Sequence, residues 1–119
     1  MTKTILIFQV VIAISNKNNT TLFNLLCDIF IFKAWEILGL AVEKEMQYEQ
    51  AAECYEKAWK LEFEASAPIG FKYAFCLLKT KKATQAIDVC EKILDLYPDY
   101  PRIRDEILKK AYLMVKSFT

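Results

Sequence analysis

The chain has 119 residues, with 16 Lys and Arg against 15 Asp and Glu, 55 % hydrophobic residues, no His, four Cys, two Gly and three Pro. That length holds one domain at most; the apolar fraction is too high for a disordered chain, and so little Gly and Pro argues against a turn-rich sandwich and for helices. Near-neutral charge removes the electrostatic footprint of a nucleic-acid binder, and the lack of His removes the commonest general base and zinc ligand, which speaks against most enzyme chemistry.

Residues 1–32 carry only Lys3, Lys17 and Asp28 as charged side chains. They hold two apolar runs, 5–14 and 22–32, on either side of a polar stretch from Ser15 to Thr21. Neither run reaches the roughly 20 residues that a membrane-spanning helix needs. A secretory leader is the competing reading of this start. Lys3 would be its basic region, 5–14 its apolar region and Ala13-Ile14-Ser15 its cleavage site, with Asn18 and Asn19 then becoming glycosylation acceptors. The cysteines weigh against export. Cys27, Cys54, Cys76 and Cys90 lie inside apolar helical patterns and form no C-x-x-C pair, so free thiols in a reducing compartment are expected. Residues 1–32 are therefore read as an apolar, helical, non-repeat segment, with membrane association through it not favoured.

From Lys33 onward the chain repeats itself. Residues 48–61 align with 83–96 at a spacing of 35. Each reads as an amphipathic helix, with Ala51, Tyr55, Ala58 and Leu61 on one face of the first and Ala86, Cys90, Ile93 and Leu96 on one face of the second. Each is preceded by another helix. Trp35, Leu38, Gly39 and Val42 form the buried stripe of one; Tyr73, Ala74 and Leu77 form that of the other. This gives two helical hairpins, over 33–64 and 65–99. Pro98 closes the second, because proline cannot continue a helix, and Pro101 is placed at the first turn of a last helix over 100–119. Ile103, Ile107, Leu108 and Ala111 make its apolar face, extended by Met114 or Val115, and it is expected to cover the last hairpin.

Trp35, Leu38, Gly39, Ala51, Tyr55 and Ala58 match the tetratricopeptide repeat signature at the family's spacing. The second unit keeps Ala74, Ala86 and Pro98, but Gly70 stands where the Trp belongs and Cys90 where the aromatic belongs. Small residues let the helices approach, and Trp35 and Tyr55 fill the gaps that remain. The expected fold class is all-α: two tetratricopeptide-type hairpins and a capping helix, preceded by an apolar helical segment.

More closely, the stretch from Ala34-Trp35-Glu36 to Lys109-Lys110-Ala111 resembles the C-terminal end of the tetratricopeptide repeat protein 21 family. The Gly70 to Phe75 helix and Tyr97-Pro98-Asp99-Tyr100-Pro101 are its most specific parts. The resemblance implies a piece of a long repeat solenoid of the intraflagellar transport A complex, which works in retrograde traffic inside cilia. It implies protein subunits of that complex as partners, in the cytoplasm and cilium, with the secretory pathway as the alternative location. Residues 1–32 and 112–119 do not resemble the family, so the chain is read as a fragment or truncated form. Two repeats and a cap fall short of the roughly three units a self-standing array wants. Residues 22–32 are accordingly expected to dock as a helix on the open face of the Trp35 helix.

By the same resemblance the first helix of each hairpin lines a groove, with Lys33, Glu36, Leu40, Glu43 and Lys44 from one unit. Phe71, Phe75, Leu78 and Lys79 come from the next and form the candidate partner surface. Phe71, Phe75 and Leu78 stand opposite Tyr73, Ala74 and Leu77, so this helix is apolar nearly all round. Packing against neighbouring helices is the favoured reading, and a docking patch is its rival. Family members that clamp the acidic C-terminus of chaperones use Lys and Asn in the groove. Here Glu36, Leu40, Phe71 and Phe75 stand in those places, which argues against a clamp. Glu43 with Glu45, and Glu53 with Glu56, read as solvated charge beside Lys44 and Lys57. Lys79, Lys81 and Lys82 read as a turn's solvated face, since no glycine-rich loop accompanies them. No catalytic, cofactor-binding or metal-ligating residue is expected, and the activity is protein–protein interaction.

Overall fold

The computed structural model describes residues 20–117, with side chains from Phe30 onward. The leader reading and its cleavage and glycosylation sites lie outside the described residues, as does the side chain of Cys27. The elements are α1 (Thr20–Lys44), α2 (Tyr48–Leu61), α3 (Ala67–Lys79), α4 (Ala83–Leu96), a π-helical turn (Arg104–Leu108) and α5 (Lys109–Ser117). No strand occurs among the described residues, so the fold is all-α, as the periodicity predicts. From Phe32 onward the described residues belong to one compact unit.

The helices α2 and α4 are each 14 residues long and start and stop 35 residues apart, matching the internal alignment. The turns before them repeat too. Met46 and Lys81 both adopt left-handed backbone, with φ 62° and 67°. One residue further on, the Gln47 amide donates to the Val42 carbonyl and the Lys82 amide to the Leu77 carbonyl, which satisfies carbonyls that the helix end leaves open. Thr80 adds to this closure, its hydroxyl donating at 3.0 Å to the Cys76 carbonyl and at 3.1 Å to that of Leu77. Pro68 sits in the first turn of α3, where its missing N–H costs nothing, and α4 stops ahead of Pro98. Connections this short make successive helices antiparallel neighbours.

The core follows the small residues. Ala51, Ala58, Ala74 and Ala86 are fully buried, and Tyr55, Trp59 and Ile93 fill the space between them. Ile103, Ile107 and Ala111, each four residues on from the last, bury the closing segment against α3 and α4.

Several expectations are corrected. Leu38 is 47 % exposed instead of joining the stripe. Gly39 takes the position against α2, and a residue next to it on a helix points about 100° away. Leu61 and Leu96 end their helices and are exposed, so those two faces stop a turn early. Pro101 does not open the last helix, because Arg102 at φ 72° breaks the helical path and winding begins after it. Residues 22–32 are helical, as expected, but they share α1 with Trp35. No turn separates them from it, so they are not a separate helix docked on its face.

Candidate docking groove

The signature residues build the contact between α1 and α2. Gly39 is buried against the ring of Tyr55, where an added Cβ would lie 2.8 Å from Cε1. The Tyr55 hydroxyl then donates to Glu43 Oε1 at 2.7 Å, back on α1. Burial and this bond push its ionisation well above the usual tyrosine range. Trp35 is half-buried, with Lys57 Nζ 4.1 Å from the ring centroid. Pro98 is exposed beyond the end of α4.

The second unit replaces its missing tryptophan from outside. A Cβ on Gly70 would lie 2.6 Å from Trp59 Cζ3 and 2.6 Å from Ile93 Cδ1, so α2 and α4 both press on this glycine. Trp59 lies outside the signature and sequence reasoning did not single it out. The available signal was an unmatched Trp in one unit beside an unmatched Gly in the next.

Two of the four acids read as solvated charge are instead acceptors for buried hydroxyls. Glu43 serves Tyr55, and Glu56 Oε2 receives the Tyr73 hydroxyl at 2.9 Å; both carboxylates are only partly exposed. Glu45 and Glu53 are exposed.

Of the four candidate partner residues, Phe75, Leu78 and Lys79 line one groove of about 270 Å³, between α3 and the closing segment. Phe71 stands apart. It meets the Tyr100 ring at 6.2 Å, and the Arg102 guanidinium lies 5.7 Å from its centroid. Phe75 is half-buried, edge-on to Tyr48 at 6.1 Å, and Leu78 is buried. The closing segment supplies Met114, Lys110 and Glu106 to the opposite wall, and Lys81 stands at the turn end. Sequence reasoning left these four out because they come from different elements. Glu106 is engaged by Arg102 through two bonds of 2.8 and 2.9 Å, which holds its carboxyl below the usual range. Among the described residues no carboxylate lies within ion-pair distance of Lys79, Lys81 or Lys110. Lys82, in contrast, pairs with Glu49 at 3.3 Å.

The thiols offer no chemistry to this surface. Cys54, Cys76 and Cys90 are free and buried. Burial, with Glu43 and Glu91 adding to it, pushes Cys76 and Cys90 up to about 12, which leaves them protonated at neutral pH. No cluster of possible metal ligands occurs among the described residues.

Antiparallel hairpins in a 35-residue register, small residues where helices meet, and a last helix over the final hairpin define a helical-repeat protein. Residues 18–112 match the family model described as the tetratricopeptide repeat protein 21 C-terminal ARM domain, and the chain belongs to that family. It is 49 % identical over 80 residues to tetratricopeptide repeat protein 21A of Homo sapiens, and 51 % over 79 residues to that of Mus musculus. It is also 42 % identical over 85 residues to the tetratricopeptide repeat protein 21 homolog of Caenorhabditis briggsae. These alignments take in 67 %, 66 % and 71 % of the chain. The chain spans about 6 % of the length of each of these relatives.

Proposed function

We propose that the chain is a non-catalytic docking module, equivalent to the C-terminal end of an intraflagellar transport A subunit and acting in retrograde ciliary transport. Its partners are protein subunits of that complex, in the cytoplasm and cilium. It binds by shape-complementary packing of helices or extended segments on a rigid repeat surface. The observation that carries this reading is the family match over residues 18–112, together with an open groove whose apolar floor is bordered by three lysines and one acid. Repeat hairpins hold their exposed side chains on stiff elements, which keeps the ordering cost of a bound partner low.

Expression of the tagged chain in ciliated cells tests it. Co-purification with the transport A subunits and an intact Met1 in the cytosol are the expected results. A mature start near Asn16, or no association with those subunits, contradicts the reading.

A further inference from the structure

We infer that the groove between α3 and the closing segment receives an acidic peptide segment of the partner. A hydrophobic side chain of that segment packs between Phe75, Leu78 and Met114, and carboxylates beside it pair with Lys79, Lys81 and Lys110. The inference rests on the protein-docking reading above and names the chemistry of the partner at that site.

Charge decides the sign. Three lysines border the recess with no carboxylate in ion-pair range among the described residues, and the one acid in the wall, Glu106, serves Arg102 bidentately and feels Lys110 only at longer range. Lysines outnumber acids in this wall three to one, so an acidic ligand gains pairs there and a basic one meets net repulsion. Size is in keeping with that occupant: at about 270 Å³ the groove stands at the small end of ligand pockets and takes a side chain of a docked segment. The depth of the apolar floor separates a peptide from a membrane. Leu78 is buried and Phe75 half-buried, so neither reaches outward to enter a bilayer, while a peptide side chain reaches inward to them.

The packing around the lysines supports the same occupant. Lys79 Nζ stands over the Phe75 ring at 5.4 Å from its centroid and over that of Tyr48 at 5.9 Å, which holds the ammonium at the apolar rim with no carboxylate in ion-pair range.

The test uses the whole chain and a fluorescein-labelled synthetic peptide of glutamates flanking a leucine–phenylalanine pair. Three control peptides carry glutamines for the glutamates, serines for the apolar pair, or lysines for the glutamates. Anisotropy is expected to show binding of the first peptide alone, weakening as salt rises. Lys79→Glu with Lys110→Glu is expected to reduce affinity at least tenfold, while Lys109→Glu, the same charge reversal next to the groove, changes it less than twofold. Circular dichroism of each variant checks that it is folded.

No binding by folded chain overturns the inference, as does equal binding of the lysine peptide or indifference to the double reversal. Two further results reassign the groove and overturn it as well. One is a dimer in ultracentrifugation that the double reversal dissolves; the other is binding to phosphatidylserine vesicles without binding to the peptide. Failure of the docking reading is read separately, from co-purification with the transport subunits. Association that persists when the peptide does not bind sinks only the groove assignment.

Discussion

Gly39 and Gly70 are the only two glycines in the chain, and both lie inside helices where an aromatic ring of α2 presses on them, Tyr55 on the first and Trp59 on the second. Gly39→Ala is expected to lower unfolding free energy by about 1–2 kcal/mol in urea melts. An added methyl in a packed contact costs roughly 1–3 kcal/mol, and better helix propensity returns up to about 1 kcal/mol of it. Trp59→Ala is expected to cost about 3–5 kcal/mol by the same measurement, since it empties the space between Gly70 and its surroundings. Gly39, Ala51, Tyr55 and Ala58 were legible as a signature because small and large residues alternate there at fixed spacing. Trp59 was not legible in that way, because its partner Gly70 belongs to the next unit and only packing brings the two together.

At the scale of the helix, one device recurs. The Tyr73 hydroxyl donates to Glu56 of the helix before it, and the Tyr112 hydroxyl donates to Glu91 of α4 at 2.9 Å; Glu56 and Glu91 are 35 residues apart. Each second helix of a hairpin thus offers a carboxylate to a tyrosine of the element that follows. Tyr73→Phe is expected to cost about 1 kcal/mol, and combining it with Glu56→Gln is expected to cost less than the two single changes added together. The left-handed turn residue Lys81 gives a prediction of opposite sign. Lys81→Gly is expected to raise stability by about 0.5–1 kcal/mol, since glycine adopts that backbone without the Cβ penalty, while acidic-peptide affinity falls. Thermal melts and anisotropy on the same protein check both halves. Helix limits were readable from the internal alignment for α2 and α4. The start of the last helix was not, because proline suits a first turn and nothing local marks Arg102 as left-handed.

Across the molecule, the buried thiols set the response to alkali. Cys76 and Cys90 ionise near 12 when folded and near 9.0 in an exposed chain, so above pH 9 the unfolded state sheds protons that the folded state keeps. Tyr55 and Tyr73 are shifted upward in the same sense. Stability is thus fully present below about pH 9 and is expected to fall from there toward pH 12, by at most about 1.4 kcal/mol per pH unit for each thiol. Urea midpoints at pH 8, 9 and 10 check this, and a flat profile contradicts it. Ile37, Leu38 and Leu40 are exposed apolar residues close together on α1. Ile37→Lys with Leu38→Glu is expected to reduce self-association in light scattering with a shift in Tm of less than about 2 °C, because surface changes of this kind stay within roughly 0.5 kcal/mol. The exposure of Leu38 was not legible, because the repeat signature assigned it to the interior.

The placement of the glycines also divides the chain by its freedom to vary. Positions 39 and 70 resist any larger residue, because an added Cβ would crowd a side chain of a neighbouring helix, whereas the hairpin tips at Met46 and Lys81 point exposed side chains outward from left-handed backbone whose preference for glycine is modest. Drift is therefore channelled to the tips, and one tip forms part of the groove rim. Partner preference can be rewritten there, one charge at a time, in a scaffold whose helix spacing is held elsewhere.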